Sequence, residues 1–341
     1  MQKLNLLFVF LIVMLNMQCA GPVNNQQHDR AKEKIRVIFD TDANNELDDQ
    51  HALAYLLFSG QTFAVEGITV NATKSGGNIN EQYAEAERIM KLCNVVGKIP
   101  LLKGADAGFV QINEQVNTAS FDGAEAVNFM VERAKAKSQQ PLVIIAVGKL
   151  TNVALALKKD PAIAQRIRVV WLGSNYPEPG EYNQDNDTTA LNFVLNMPVP
   201  FEMVTVRYGK ETGTDAVRVT QQEINQRMPG KGPKVTEPVM GRHQVAFNNF
   251  GDYSVNLFQH IQYHGNPPAR ALFDMAAVAI VKNPAWAKSK IISSPILFNN
   301  IWEERIGNPR KITVWENFDR DKIMADFYQT MDNYVVAGAG E

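Results

Sequence analysis

Two acidic pairs stand on either side of a short loop near the start of the chain. The apolar segment Val37–Phe39 predicts a buried strand that ends at Asp40 and Asp42, and Asp48 and Asp49 follow six residues later. Open α/β sheets bind their ligands at the carboxyl ends of parallel strands. Several carboxylates cannot all ionise side by side without a counter-charge, and a divalent cation supplies one. The pattern therefore predicts a metal site at the end of the first strand.

The same acids have ordinary structural explanations. Asp48 and Asp49 in the first turn of a helix would cap it and complement its dipole. Asp40 and Asp42 are harder to explain in this way, because a strand end has little structural use for two acids. The segment Gln50–Phe58 that follows predicts an amphipathic helix. Taken together, the four acids favour a binding site over four separate structural roles.

Strand-like and helix-like segments alternate along most of the chain. After the first strand, further strands are predicted at 63–70, 141–147 and 167–172, and helices at 80–93 and 153–158. This alternation predicts an α/β fold with a single open, mainly parallel sheet flanked by helices. Residues 216–241 are polar and punctuated by Pro and Gly. We interpret them as an excursion within one domain, residues 35–341.

The first 34 residues are predicted to lie outside that domain. Lys3 and the apolar run after it have the layout of an export signal over residues 1–19, too short for a transmembrane span. Cys19 resembles the lipid-attachment cysteine of bacterial lipoproteins, although the preceding Asn16-Met17-Gln18 departs from the small residues usual there. Residues 20–34 are polar and predict a flexible tether. We expect an exported protein of the periplasm or cell envelope, attached to the membrane only through a lipid on Cys19.

The charge of the chain argues against a nucleic-acid partner, and its cysteine count argues against a disulfide framework. The 341 residues carry a formal net charge of -2 and contain no block of Lys and Arg, so we expect no nucleic-acid partner. Two cysteines, Cys19 and Cys93, exclude a disulfide framework. Cys93 is expected to be a small buried apolar group. We allow for a homo-oligomer, either a dimer or a tetramer.

Polar side chains follow the later predicted strands as well. The second strand leads into the loop Asn71–Asn78, and the fourth leads into a segment with Asn175, Glu181 and Asn183. Amides and a carboxylate donate to and accept from hydroxyl groups, which suits a polyhydroxyl ligand. Asp274 opens an apolar helix late in the chain. An N-cap is one explanation for Asp274, and a further oxygen ligand for the metal site is a better one.

In order and spacing these segments resemble the inosine/uridine-type nucleoside hydrolases. The resemblance is carried by Asp-Thr-Asp…Asp-Asp-x-x-Ala-Leu at the first strand, Gly-x-Leu-Thr-Asn-x-Ala-x-Ala-Leu in mid-chain, Asn-x5-Glu-x-Asn-x3-Asp, and the late acid at a helix start. It runs from about Arg36 to Val281, and its most specific fragment is the third, from Asn175 to Asp187.

The resemblance implies a calcium-dependent hydrolase that cleaves the N-glycosidic bond of ribonucleosides to free base and ribose, as in purine salvage. Asp42 would bind the ion and act as general base toward a water on it. The implied Ca²⁺ ligands are Asp42, Asp49, Asp274 and the backbone carbonyl of Val147, an oxygen-only set that suits this cation. The implied substrate-binding residues are Asp48, Asn71, Asn78, Asn175, Glu181, Asn183 and Phe273.

The sequence departs from the family pattern at three places, which limits the residue roles that the resemblance implies. Five residues separate Asp42 from Asp48 where the family usually has three, so Asn44, Asn45 or Glu46 could enter the site. Phe273 stands where inosine/uridine members have a His that protonates the leaving base; an aromatic residue there would favour a purine by stacking. The third departure replaces a usual Pro with a lysine, Lys149.

Other interpretations stay open at this point. The protein could bind a nucleoside or sugar with calcium without turning it over, or it could hydrolyse another N-glycoside. A phosphatase with Asp40 as nucleophile, Asp42 as acid and Mg²⁺ as cofactor would also use Asp-x-Asp after a strand. The histidines and aromatic residues of the folded part are expected to be packed or surface groups rather than ligands: His51, His243, His260, His264, Phe247, Phe250, Tyr253 and Phe258. The alternative for the aromatic residues is a wall of the base pocket.

Overall fold

The computed structural model describes residues 33–338. The predicted export signal, Cys19 and nearly all of the predicted tether lie outside the described residues. The chain from Lys34 onward forms one compact unit. Between residues 33 and 338, no helix is both long and apolar enough to cross a membrane.

Strands and helices alternate through this unit. The strands are β1 Ile35–Thr41, β2 Phe63–Val70, β3 Leu101–Lys103, β4 Leu142–Ala146, β5 Ile167–Ser174, β6 Phe201–Thr205, β7 Arg218–Thr220, β8 Val239–Met240, β9 Ala246–Phe247, β10 Ala269–Ala271, β11 Lys288–Ser293, β12 Ile296–Phe298, β13 Ile301–Glu303 and β14 Lys311–Glu316. The α-helices are α1 Leu47–Leu57, α2 Ile79–Leu92, α3 Phe109–Ile112, α4 Ala124–Lys135, α5 Thr151–Lys159, α6 Tyr182–Asn186, α7 Thr188–Asn196, α8 Gln221–Arg227, α9 Phe250–Gln259, α10 Met275–Lys282 and α11 Arg320–Asp332.

Eight of the strands form one open sheet in the order β11-β14-β6-β5-β4-β1-β2-β3. All neighbouring strands are parallel except β11, which runs antiparallel to β14 at one edge. The expected single open, mainly parallel sheet is therefore confirmed. Because β1 lies between β2 and β4, the residues that follow it emerge well inside the sheet rather than at an edge. The acidic residues after β1 are thus surrounded by the ends of neighbouring strands.

Apolar side chains cover both faces of the sheet. Val37 and Phe39 of β1 point into one core, whereas Ile38 points into the other, as the alternation of side chains along a strand requires. Helices α1 and α10 pack in the first core, and α4, α5 and α7 in the second. The sheet is therefore the middle layer of three.

Helix α1 is buried along its whole length, so the expectation of an amphipathic helix is wrong. All eleven of its residues are buried, because α2, α9, α10 and α11 pack around it. Its polar side chains find partners inside the protein. Gln50 donates to Glu85 over 2.8 Å, and the two ring nitrogens of His51 lie 2.5 Å from the Leu47 carbonyl and 2.7 Å from the Ser254 hydroxyl.

His51 and the predicted aromatic cluster belong to the core. The His51 ring makes edge-on contacts with Phe250 and Phe258, with 5.3 Å between ring centroids in each pair. Burial lowers the pKa of His51 to about 4, which keeps the imidazole neutral. Tyr253 donates to Glu85 over 2.6 Å. Of the two alternatives for these aromatic residues, packing in the core is the one the structure supports.

Candidate active site

Three carboxylates from distant parts of the chain meet at the C-terminal end of the sheet. Asp48 and Asp49 lie in the first turn of α1, and Asp274 directly precedes α10, the helix that packs against α1. One oxygen from each of the three carboxylates lies within 4.8 Å of the others. Asp42 lines the same cavity as these three residues. The carboxylates predicted as metal ligands are thus brought together, and Asp48, expected to bind sugar, lies among them.

Helix capping does not account for this group. Glu46 and Asp274 are the N-cap residues of α1 and α10, and neither side chain makes a capping hydrogen bond. The N-cap explanation for Asp274 is therefore wrong. Asp49 accepts a hydrogen bond of 2.5 Å from the Thr41 hydroxyl. That bond fixes the orientation of the Asp49 carboxylate and leaves its second oxygen available.

Burial makes the charged forms of these acids expensive. It raises the pKa of Asp42 to about 6 and of Asp48 to about 7, and it raises the pKa of Asp49 and of Asp274 well above the ordinary value. Repulsion between the neighbouring carboxylates acts in the same direction. A divalent cation would offset both effects, and a set made only of oxygen ligands fits a hard cation such as Ca²⁺.

Asp40 belongs to the closed interior rather than to the cavity. Its Oδ1 accepts hydrogen bonds from Thr69 at 2.6 Å and Asn152 at 2.7 Å, and its Oδ2 accepts one from Asn71 at 3.1 Å. The Asp40 side chain is fully buried. A nucleophile needs a lone pair that faces the substrate, so the phosphatase interpretation with Asp40 as nucleophile is wrong.

The long loop between the two acidic pairs forms part of the cavity wall. Asn44 does not line the cavity, and its side chain donates instead to the Gly76 carbonyl over 2.7 Å. Asn45 and Glu46 line the cavity. Glu46 also forms an ion pair with Arg270 of β10. The extra residues thus add a charged wall and leave the Asp42 side chain at the cavity.

Besides Asp48, two residues expected to bind sugar face the cavity. Glu181 is buried, accepts a hydrogen bond of 2.9 Å from the Gln184 backbone N–H, and has its pKa raised to about 7 by burial. The Asn183 side chain donates to the carbonyls of Val147 at 2.8 Å and Leu172 at 3.2 Å. Its buried Oδ1 has no partner among residues 33–338. Because an unpaired buried amide oxygen is costly, a ligand hydroxyl is a suitable donor for it.

The three other asparagines expected at the sugar lie outside the cavity wall. Asn71 holds Asp40 in the interior, as described above. Asn78 is the N-cap of α2 and forms a capping box with Glu81. Asn175 accepts a hydrogen bond of 3.0 Å from the Tyr208 backbone N–H and donates to the Pro179 carbonyl at 3.0 Å. The structure therefore gives Asn78 and Asn175 local roles in ordering loops near the site.

An aromatic pair forms part of the cavity wall. The rings of Phe273 and Tyr208 meet edge-on, with centroids 5.8 Å apart, and both residues line the cavity. The cavity has a volume of about 500 Å³, within the range typical of small-molecule sites. The pair offers an apolar surface next to the carboxylates, as a ligand with a polar sugar and a flat base requires.

Several cavity residues have no counterpart among the sequence predictions. They are Tyr208, Asp215, Arg218 and Arg270. His264, expected to be a packed or surface residue, also lines the cavity. Strand β6 is not among the predicted strands. The expectation that residues after strand ends line the site could therefore not be applied to Tyr208, which follows β6. Arg270 lies four residues before Asp274 in the same segment, which is the one signal in the sequence that points to it.

The chain is similar to known proteins in sequence and in fold. Residues 37–326 match the sequence profile described as inosine-uridine preferring nucleoside hydrolase. The chain is 24% identical over 280 residues to the inosine-uridine preferring nucleoside hydrolase of Crithidia fasciculata, covering 73% of this chain and 79% of that one. It is 25% identical over 214 residues to an uncharacterized protein of Schizosaccharomyces pombe, covering 55% of this chain and 66% of that one. A solved inosine-guanosine nucleoside hydrolase, 16% identical, has a similar fold, with a TM-score of 0.68 over 89% of this chain and 100% of that one.

Proposed function

Because this chain belongs to the inosine-uridine preferring nucleoside hydrolase family, whose reaction is hydrolysis of the N-glycosidic bond of ribonucleosides, we propose that it does so with bound Ca²⁺ and with a preference for purine bases. The observation that carries the proposal is the approach of the Asp48, Asp49 and Asp274 carboxylates to within 4.8 Å at the cavity. A bound cation would offset the cost of burying these carboxylates in their charged forms.

The residues that would hold the cation are Asp42, Asp48, Asp49, Asp274 and the Val147 carbonyl. When bound, Ca²⁺ would supply a positive charge that acidifies a water molecule and attracts sugar hydroxyls. Asp42 would accept the proton of the attacking water. The Thr73 hydroxyl donates to one Asp42 oxygen over 2.6 Å, which orients the carboxylate and leaves the other oxygen for that role.

Glu181 and Asn183 would hold the ribose. As the N-glycosidic bond breaks, positive charge develops on the sugar ring, and nearby carboxylate and amide oxygens stabilise it. The unpartnered Oδ1 of Asn183 would accept a hydrogen bond from a ribose hydroxyl. The sugar would thus be bound by the part of the cavity nearest the carboxylates.

The purine preference rests on the aromatic pair. Phe273 stands where a general acid for the leaving base is usual, and its ring lies beside that of Tyr208. A larger base gains more from contact with aromatic rings than a smaller one does. We therefore propose that Phe273 favours purine nucleosides over pyrimidine nucleosides.

We also propose that the protein is exported and that a lipid on Cys19 attaches it to a membrane. The proposal is supported by Lys3, the apolar run after it and the position of Cys19. Metabolic labelling with a radioactive or clickable fatty acid tests it. Label that enters the wild-type protein and is absent from Cys19→Ser supports the anchor, and equal labelling of both proteins contradicts it.

Ribose release tests the proposed reaction. The protein without residues 1–19 would be incubated with inosine, guanosine, adenosine, uridine and cytidine, with added Ca²⁺ and again after chelation. Asp42→Asn is the matched control, because it keeps the side-chain volume and removes the base. Phe273→Leu in the same panel measures the purine-to-pyrimidine ratio, which should fall.

Each outcome of that experiment has a definite meaning. Release that is lost on chelation and in Asp42→Asn supports a calcium-dependent hydrolase. Release that survives chelation contradicts the metal dependence. No release from any nucleoside while Ca²⁺ still binds would instead indicate a calcium-dependent binding protein or a hydrolase of another N-glycoside.

A further inference from the structure

Arg270 is a partly unsatisfied cation on the wall of the cavity. Its side chain is only 11% exposed, and its terminal nitrogen pairs with Glu46 of the long loop. The Nε–H of Arg270 is buried and has no acceptor among residues 33–338. A buried donor without an acceptor costs free energy, and a ligand in the cavity is a suitable partner.

The other guanidinium of the cavity wall is already bound on two sides. Arg218 donates from Nε to the Asp215 carbonyl at 2.8 Å and from Nη2 to the Asp215 carboxylate at 2.5 Å. The same carboxylate accepts a hydrogen bond from Gly209 at 2.7 Å. Arg218 therefore fixes the loop that carries Tyr208, whereas Arg270 keeps an unused donor.

Arg270 lies on the segment that carries the aromatic residue of the site. It is the middle residue of β10, three residues before Phe273 and four before Asp274. β10 pairs with β7, with Arg270 opposite Val219, which holds the segment in place. A ribose bound at the carboxylates and a base against Phe273 would bring the edge of that base toward Arg270.

We propose that Arg270, positioned by Glu46, binds the leaving base and stabilises the negative charge that develops on it. This inference rests on the proposed function. The water oxygen forms a bond to C1′ while the C1′–N bond breaks and leaves its electron pair on the base nitrogen. Asp42 takes one proton of the water. The guanidinium stays protonated, so it stabilises the base by charge and hydrogen bonds, and the base takes its own proton from solvent.

Two substrates with different leaving groups test this role. Inosine needs help with its leaving base, whereas p-nitrophenyl β-D-ribofuranoside releases a phenolate that is stable without help. In the full chain with saturating Ca²⁺, we expect Arg270→Gln to lower kcat/KM for inosine about 100-fold, the usual effect of losing one charge-stabilising donor. For the nitrophenyl riboside the loss should stay below about threefold, because that transition state needs no such donor. Arg270→Lys should restore part of the inosine rate.

Two further variants test whether the effect is specific to Arg270. One removes the partner of Arg270, and the other removes an arginine far from the cavity. Glu46→Gln keeps the guanidinium and removes its partner, so it should lower the inosine rate about tenfold with little effect on the nitrophenyl riboside. Arg168→Gln is the matched control, because Arg168 pairs with Glu202 near the N-terminal end of β5, whereas the cavity lies at the C-terminal end of the strands. It should leave the ratio of the two rates unchanged. Calorimetry should show the same Ca²⁺ affinity for all these proteins.

The results separate this inference from the proposed function. A wild-type protein that cleaves the nitrophenyl riboside and inosine supports the function. Equal losses on both substrates in Arg270→Gln, or an unchanged inosine rate, would then overturn the role of Arg270 alone. A wild-type protein that cleaves neither substrate overturns the function, and the inference with it.

Discussion

Asp40 and Asp42 lie two residues apart in different surroundings. Asp40 accepts three side-chain hydrogen bonds in the interior, from Thr69, Asn71 and Asn152, whereas Asp42 accepts one from Thr73 and faces the cavity. Asp40 thereby joins the end of β1 to the end of β2 and to the start of α5. One acid holds the strand ends together, and the other is free for chemistry.

Replacing Asp40 should therefore damage the fold more than replacing Asp42. Asp40→Ala leaves three buried donors without their acceptor, and we expect it to lower the free energy of unfolding by about 3 kcal/mol. Asp42→Ala removes a carboxylate that its neighbours repel, so the change should stay below about 1 kcal/mol. Urea denaturation of both variants without calcium measures the difference. Equal losses would mean that Asp40 has no special structural role.

We expect the cluster of acids at the cavity to destabilise the cation-free protein and to bind Ca²⁺. Asp49→Asn removes one of four mutually repelling acids and keeps an oxygen for the Thr41 hydroxyl, so we expect the cation-free protein to gain about 1 kcal/mol. In the wild type, Ca²⁺ at one hundred times its Kd should add about 3 kcal/mol, and most of this gain should vanish in Asp49→Asn.

Thermal unfolding with Ca²⁺ and with a chelator measures both effects of Asp49→Asn. Asp321→Asn is a suitable control, because the Asp321 side chain is 90% exposed in α11. The control should leave the Ca²⁺-induced rise in Tm unchanged. An undiminished rise in Asp49→Asn would show that Asp49 does not hold the ion.

Ionisation of Glu181 should appear in the pH profile of the reaction. Burial raises its pKa from 4.5 to about 7, and a nearby cation would lower it again. The anionic form accepts hydrogen bonds from hydroxyls and stabilises positive charge on the sugar. With saturating Ca²⁺, kcat/KM should therefore rise with pH through an inflection between 4.5 and about 7.

Glu181→Gln tests the assignment of that inflection. The amide does not ionise, so the inflection should disappear, and the plateau should fall by about 10-fold to 100-fold. The fold should be kept, because the amide oxygen can still accept the hydrogen bond from the Gln184 backbone. An inflection that persists in the variant would assign it to another group.

The central part of the candidate site could be predicted from the sequence, because the ends of parallel strands converge. Asp42, Glu181 and Asn183 follow strands of one parallel sheet, and their meeting is a consequence of that topology. Asn78 is different, because an asparagine before a helix has the same local pattern whether it caps the helix or binds a ligand. Asn78 forms hydrogen bonds with Asn80 and Glu81, and these bonds depend on the geometry of the helix start.

The outer wall of the cavity depends on contacts between segments that the sequence does not connect. Glu46 and Arg270 are far apart in the chain, and neither belongs to a local pattern that predicts their ion pair. The burial of α1 has a similar cause. Gln50 and His51 resemble solvent-facing residues of an amphipathic helix, and their buried partners, Glu85 and Ser254, come from α2 and α9.

Gly148 should be required for the position of the Asp42 carboxylate, the proposed general base. A Cβ atom at this position would lie 2.9 Å from Asp42 Oδ1 and 2.8 Å from Asn71 Oδ1, closer than real Cβ contacts. Gly148→Ala should therefore displace Asp42 and lower kcat about 100-fold, since a shift of about 1 Å in a reacting group has effects of that size. Gly338→Ala is the control, because a Cβ there meets nothing within 4 Å. Steady-state kinetics with a thermal unfolding curve separates displacement from unfolding: full activity in Gly148→Ala would show that the carboxylate has room to move without losing its function.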